Sequence, residues 1–281
     1  MPLVSTGELV TEARGAGHGV AAFNVITLEH AEAVALGAER AGAPAILQIS
    51  QNAVKFHGGR PTAIAAATAA VARASRARLS LHLDHVTDPE LLRAAHPEGF
   101  SSVMFDASKL PYGENVKATA DAVRWGRERG IWIEAELGEV GGKEGEVPLD
   151  AHAPGVRTDP AEAAAYVAET GVDALAVAVG SSHAMTERTA ALDHELIASL
   201  AAAVPVPLVL HGSSGVPDAE IRRAIGSGMV KINVGTALNT AFTGEVRAYL
   251  NAHESVDPRK YLALAREAMS KTTTRFQRLL V

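Results

Sequence analysis

One short segment combines two imidazoles with two carboxylates directly after an apolar run. The segment LHLDHVTD (81–88) contains His82, Asp84, His85 and Asp88. Burying such groups without partners costs free energy, so the segment predicts one of two things: a hydrogen-bonded structural cluster, or a site for metal binding and proton transfer. The positions of the other polar residues of the chain decide between these two interpretations.

Short β-branched runs alternate with alanine-rich stretches of helical period along the chain. The predicted strands are VAAFN (20–24), AILQIS (45–50), LSLHLD (79–84), SVMFD (102–106), WIEAEL (132–137), ALAVAV (174–179), PLVLH (207–211) and VKINV (230–234). Helical spacing and capping residues predict helices at 28–42, 158–171 and 216–228. The alternation favours an α/β fold with a single (β/α)8 TIM barrel over residues 1–281, and an open doubly wound sheet is the competing fold. From about residue 236 the chain is predicted to form additional C-terminal helices.

The composition excludes several classes of function. The 281 residues carry a net charge of −6 without a basic block, which argues against a nucleic-acid partner. The chain has no cysteine, so a transition metal would have to be held by histidine and carboxylate side chains. There is no apolar run of membrane-spanning length and no signal-peptide pattern, so we expect a cytoplasmic protein with no membrane partner.

Each predicted strand ends at or near a polar residue. These residues, in chain order, are Asn24, Ser50, Asp84 with His85, Asp106, Glu136, His183, His211 and Asn233. Barrel enzymes carry their chemistry at the carboxyl ends of the strands, so we expect these side chains to share one rim. Three imidazoles that leave a fourth position open are typical of a catalytic zinc site, which favours metal binding by His85, His183 and His211 over three separate core histidines. His82 is expected to support Asp84 through a hydrogen bond.

Two turns of small residues and one long loop complete the predicted rim. HGSSGVP (211–217) and NVGT (233–236) follow the last two strands, where barrels commonly bind phosphate with backbone N–H groups. The segment 136–156 is rich in glycine and charge and too long for a plain turn. It is predicted to be a mobile lid that carries Glu144 over the site, with a surface insertion as the alternative.

Taken together, the motifs resemble the class II, zinc-dependent ketose-bisphosphate aldolases. The resemblance runs nearly end to end through AFNV, LHLDH, EAELGEVGG, AVGSSHAM, LVLHGSSGVP, KINVGT and DPRKYL. It implies reversible cleavage of fructose or tagatose 1,6-bisphosphate to dihydroxyacetone phosphate and glyceraldehyde 3-phosphate. An inositol-catabolism aldolase that cleaves 6-phospho-5-dehydro-2-deoxygluconate, and a non-catalytic subunit of an aldolase complex, are the alternatives.

The resemblance also implies a role for each candidate metal and proton-transfer group. The implied metal ligands are His85, His183 and His211 for Zn²⁺, with Asp106 and Glu136 at an alternative or second metal position. Asp84 matches the proton donor and acceptor at the cleaved bond. Glu144 matches the carboxylate that exchanges the proton on the dihydroxyacetone phosphate carbon.

The remaining implied roles concern substrate binding and assembly. The implied substrate and phosphate ligands are Asn24, Ser50, Ala184, Gly212, Ser213, Ser214, Asn233, Val234, Gly235 and Thr236. A monovalent cation, Na⁺ or K⁺, is implied near residues 182–184 and Ser214. Arg259 is implied to reach the distal phosphate in a neighbouring subunit of a homodimer or homotetramer.

Two residues depart from the family pattern, and two other chemistries compete with it. Ala184 stands where the family usually has glycine, and Gly235 stands where the fructose-specific branch often has aspartate. Lys231 would suit a Schiff-base aldolase, although a lysine paired with a carboxylate inside the barrel is the favoured interpretation. A hydrolase using zinc-bound hydroxide commonly carries an H-x-H pair on its first strand, which VAAFN lacks.

Overall fold

Eight parallel strands close into one barrel in the order β1 to β8. The computed structural model describes residues 3–138, 140–141 and 156–281. The strands are β1 (Val20–Asn24), β2 (Ala45–Ser50), β3 (Leu79–Val86), β4 (Ser102–Phe105), β5 (Trp132–Leu137), β6 (Ala174–Val177), β7 (Leu208–Leu210) and β8 (Met229–Val234). Closure confirms the predicted (β/α)8 barrel and excludes the open doubly wound sheet. β4, β6 and β7 stop one or two residues earlier than predicted, whereas β3 continues two residues further.

Helices connect the strands and extend past the eighth unit. They are α1 (Thr6–Ala16), α2 (Leu28–Ala41), α3 (Gln51–Phe56), α4 (Thr62–Ala74), α5 (Pro89–Ala94), α6 (Tyr112–Arg127), α7 (Pro160–Thr170), α8 (His194–Ala203), α9 (Asp218–Gly226), α10 (Thr236–Ala252) and α11 (Pro258–Leu279). Capping residues set these limits. The Asp159 carboxylate accepts hydrogen bonds from the first turn of α7, and Gly171 ends that helix with a positive φ of 67°. None of the helices in the described ranges is long and apolar enough to cross a membrane.

The predicted C-terminal helices are present as α10 and α11, with a break at residues 253–257. α11 packs against α2 and α10 on the outside of the barrel. Gly37 of α2 permits this close approach, because a Cβ atom there would lie 2.5 Å from Cβ of Thr273. At the other end of the chain, Leu9 and Val10 of α1 pack against residues near the start of β1, β2 and β8. The carboxyl ends of the strands remain open for the site.

Candidate active site

A cavity of about 570 Å³ opens at the carboxyl ends of the strands. The predicted site residues that line it are Asn24, Ser50, Asp84, His85, Asp106, His183, Ala184, Gly212, Ser214, Asn233, Gly235 and Thr236. The structure therefore brings most of the predicted rim together. Sequence reasoning missed further polar lining from α3 and the loop after β4, including Lys55 and Lys109. Their pattern in the sequence carries no signal that separates them from ordinary surface lysines.

Four potential metal ligands meet at the edge of this cavity. One ligand atom from each of His85, Glu136, His183 and His211 can be chosen so that all four atoms lie within 4.8 Å of one another. Nδ1 of His85 lies 3.0 Å from Oδ2 of Asp106, so Asp106 contacts the cluster through His85. The prediction that the three histidines converge is thus confirmed, and Glu136 joins them.

The cluster fits Zn²⁺. Three imidazole nitrogens and a carboxylate oxygen are donor types that zinc prefers, and their mutual distances allow one ion to reach all four. Nδ1 of His211 is buried and makes no hydrogen bond among the described residues, although it lies 3.2 Å from Oε2 of Glu136. A bound metal ion would satisfy this nitrogen.

A local distortion of β3 brings Asp84 and His85 to the same rim. Successive residues of a regular strand point to opposite faces, so these two side chains would diverge. The register between β3 and β4 shifts between Leu83 and Val86, and His85 adopts a positive φ of 50°. Histidine is one of the residues that tolerates this left-handed conformation, and irregularities of this kind re-aim side chains beside active sites. The sequence gives no sign of this bulge.

Asp84 lies buried among imidazoles. Burial would raise the pKa of Asp84, but His85, His82 and His211 outweigh that effect and hold the pKa well below its usual range. His82 contacts Ser102 Oγ through Nδ1 at 2.7 Å, while its Nε2 lies 3.7 Å from Oδ1 of Asp84. Ser102 thus fixes the His82 imidazole, and the predicted support of Asp84 by His82 takes the form of this 3.7 Å contact, which helps to lower the pKa of Asp84.

A buried ion pair lies beneath the cluster. Nζ of Lys231 lies 2.7 Å from Oε2 of Glu134, and both side chains are fully buried, which confirms the favoured interpretation of Lys231. Oε1 of Glu134 lies 3.1 Å from Nε2 of His211. Burial would raise the pKa of Glu134, but Lys231 and His211 outweigh it and hold the pKa at about 2. Sequence reasoning missed Glu134, although its two-residue spacing from Glu136 places both on one face of β5.

The turn after β7 approaches the loop after β6 very closely. Gly212 has a positive φ of 69°, and a Cβ atom there would lie 2.5 Å from the carbonyl oxygen of Ser182, so only glycine fits. The hydroxyl of Ser213 donates to the carbonyl oxygen of Asn233, and the hydroxyl of Ser214 accepts from the N–H of Ala237 at 3.1 Å. These bonds hold the turn after β7 against the end of β8.

Some predicted binding residues lie away from the open cavity. Ser213 and Val234 are fully buried behind its surface. Arg259 lies at the start of α11 with an exposed side chain paired to Asp257 at 2.8 Å, and it does not line the cavity of its own chain. Gly235 immediately precedes α10 and lies at the cavity, close to the side chain of Asn24. Glu144 lies outside the described residues.

The fold and the site together define a metal-dependent barrel enzyme. Residues 4–281 match the protein family described as "Fructose-bisphosphate aldolase class-II". The chain belongs to this family, whose members are zinc-dependent lyases that act on sugar phosphates.

Curated relatives and solved structures agree with this membership. The chain is 38% identical to the fructose-bisphosphate aldolase of Staphylococcus epidermidis over 274 residues, which are 97% of this chain and 95% of the relative. The same values hold for a probable fructose-bisphosphate aldolase of Bacillus subtilis. The chain is also similar to the YdjI aldolase of Escherichia coli K12, with a TM-score of 0.85 and 30% identity over 99% of this chain and 97% of that chain. A putative fructose-1,6-biphosphate aldolase from Coccidioides immitis gives a TM-score of 0.87 and 30% identity over 98% and 95%.

Proposed function

We propose that this protein catalyses the zinc-dependent, reversible cleavage of a ketose 1,6-bisphosphate to dihydroxyacetone phosphate and glyceraldehyde 3-phosphate. The observation that carries the proposal is that Asp84, the start of α10 and two members of the histidine cluster, His85 and His183, line one cavity. The names of the curated relatives favour fructose 1,6-bisphosphate over tagatose 1,6-bisphosphate.

His85, His183 and His211 would hold the zinc ion, with Glu136 as the adjoining alternative ligand. When bound, zinc supplies a Lewis acid that polarises the substrate carbonyl and stabilises the negative charge that develops on its oxygen. Asp84 accepts the proton of the C4 hydroxyl while the C3–C4 bond breaks and its electron pair moves into the enediolate. Asp84 lines the cavity beside His85, and its carboxylate is ionised and therefore able to receive the proton. Glu144 returns a proton to C3 and completes dihydroxyacetone phosphate.

The phosphate of the dihydroxyacetone half would bind where two turns meet α10. A helix N-terminus offers free N–H groups and a positive dipole end, and Gly235 and Thr236 place that end of α10 at the cavity. Ser214 lies on the facing turn. Asn24 and Ser50 would contact the sugar from the ends of β1 and β2, and β1 pairs with β8. Binding of the remote phosphate holds the reacting carbons in position, which lowers the barrier to cleavage.

A monovalent cation near residues 182–184 and a second subunit complete the proposal. The exposed position of Arg259 on α11 suits contact with the distal phosphate in the cavity of another copy, in a homodimer or homotetramer.

The test measures release of dihydroxyacetone phosphate from fructose and tagatose 1,6-bisphosphates, each with and without a chelator. We expect release that the chelator abolishes and added zinc restores, and the ratio of the two rates identifies the sugar. Release that survives chelation would contradict the zinc mechanism. If the zinc-loaded protein cleaves neither sugar, 6-phospho-5-dehydro-2-deoxygluconate is the next substrate to assay, and a protein inactive on all three would be a non-catalytic subunit.

A further inference from the structure

A layer of fully buried polar side chains includes one member of the histidine cluster and extends from it into the barrel interior. It comprises His82 of β3, Glu134 of β5, Lys231 of β8 and His211, which follows β7. Lys231 Nζ lies 2.7 Å from Glu134 and 3.5 Å from Nε2 of His82. The layer therefore joins strands from different sides of the barrel interior through a single ammonium group.

The two nitrogens of His211 face different carboxylates. Nε2 lies 3.1 Å from Oε1 of Glu134, a residue outside the cluster. Nδ1 lies 3.2 Å from Oε2 of Glu136, a residue of the cluster. An imidazole that binds a metal presents a lone pair at one nitrogen and donates N–H from the other. The surroundings of His211 thus assign Nδ1 to the metal and the N–H to Nε2.

We propose that Glu134 is a positioning residue: it accepts the Nε2–H of His211 and thereby directs the Nδ1 lone pair at the metal, while Lys231 fixes the other oxygen of the Glu134 carboxylate. The inference rests on the zinc site of the proposed function. Within the described residues, Oε1 of Glu134 contacts His211 and Oε2 contacts Lys231, so a small rotation of the carboxylate would weaken both contacts.

The alternative is a buried ion pair that only fills the barrel interior. Such a pair affects stability, because removing one member leaves an uncompensated buried charge. If the pair is only structural, its removal should leave the metal affinity unchanged in any variant that still folds. Zinc affinity, measured separately from stability and from catalytic rate, therefore distinguishes the two roles.

Two charge-balanced double variants isolate the contact with His211. Glu134→Gln with Lys231→Met removes both charges but keeps an oxygen that can accept the Nε2–H. Glu134→Leu with Lys231→Met removes both charges and the acceptor. The zinc dissociation constant of each folded variant is measured by competition with a chromophoric chelator, and the melting temperature of each metal-free form is recorded alongside. Ser270→Ala serves as the control, because Ser270 is buried and hydrogen-bonded to Arg40 where α11 packs on α2, outside the barrel.

We expect the leucine double variant to bind zinc about 10- to 100-fold more weakly than the glutamine double variant, the usual effect of losing such an outer partner. The Ser270→Ala control is expected to keep the wild-type affinity. Equal zinc affinity in the two double variants, with wild-type protein binding zinc normally, would overturn the inference and leave the proposed function intact. Absence of zinc binding by the wild-type protein would overturn both.

A second measurement needs no destabilising change. In zinc-loaded wild-type protein carrying ¹⁵N-labelled histidine, the nitrogen chemical shifts report which ring nitrogen of His211 bears the proton. The His211 signals are identified as those missing from the His211→Gln variant. Protonation at Nε2 is expected, and protonation at Nδ1 would overturn the inference even if neither double variant folds.

Discussion

Replacing Ala184 with glycine is expected to stabilise the protein. Ala184 has a φ of +57°, in the left-handed region. An L-residue pays roughly 1–2 kcal/mol for this conformation, and glycine pays none of it. Glycine also gives the unfolded chain more freedom, which costs about 0.4–1 kcal/mol relative to alanine. Taken at the middle of each range, the difference leaves a net gain of about 0.5–1 kcal/mol in the free energy of unfolding for Ala184→Gly.

The measurement is the melting temperature of the metal-free protein, followed by calorimetry. For a chain of this size the gain corresponds to a rise of about 1–4 °C. Ala191→Gly is the matched control, because Ala191, like Ala184, is an exposed alanine outside the helices and strands but lacks a positive φ. There the same chemical change is expected to lower the melting temperature by a comparable amount.

The two substitutions should therefore move the melting temperature in opposite directions. A decrease for Ala184→Gly as large as that for Ala191→Gly would refute the argument that the backbone at position 184 is strained. An increase for both would show that backbone conformation does not separate the two sites.

Three further predictions concern the proton-transfer carboxylate, the buried lysine and an external ion-pair cluster. Asp84→Asn should lower the turnover rate by about 100- to 10,000-fold, which is the rate acceleration that a general base usually contributes. The zinc content, measured by elemental analysis, should stay unchanged, and loss of zinc would contradict the role of Asp84. Incubating the protein with substrate and borohydride should leave the activity intact, because Lys231 is buried against Glu134. Irreversible inactivation would show that a Schiff base forms. Burial raises the pKa of Asp218, but Arg188 and Arg275 outweigh it and lower the pKa below the ordinary 3.8. The ionised carboxylate therefore stabilises the fold above pH 3.8, and this effect is lost as the pH falls through the lowered pKa. The melting temperature of Asp218→Asn should lie below that of wild type at pH 7 and approach it in acid. A difference that does not change with pH would contradict the ion pair.

The barrel could be predicted from the sequence because its strands and helices are separate, locally encoded patterns. Buried parallel strands are continuous apolar runs, and the intervening helices carry their own caps, as Asp159 and Gly171 do for α7. The ends of the strands follow less directly from these local patterns. β7, for example, is three residues long because the chain leaves the barrel early to form the turn at Gly212. Turn geometry of that kind depends on the neighbouring loop, which the local pattern does not contain.

The candidate site was predictable to the extent that it depends on strand ends. His85, His183 and His211 converge because each follows the end of a barrel strand, or lies in its last residues. Glu134 escaped prediction because it lies three residues before the end of β5, in a layer that the rule about carboxyl ends does not cover. Its partner Lys231 is distant in sequence, so only the closed barrel shows that the two charges meet.

Strained backbone in the described part of the chain is concentrated at the candidate site. His85 and Ala184 are the two non-glycine residues with positive φ in residues 3–138, 140–141 and 156–281, and both line the same cavity. Such strain persists when the surrounding structure fixes it, and it is found most often at functional sites. At position 85 the strain cannot be removed by glycine without losing the imidazole that the cluster needs. At position 184 glycine would remove only a methyl group. The strained backbone at position 85 therefore accompanies a side chain that the proposed chemistry requires, whereas the strain at position 184 does not.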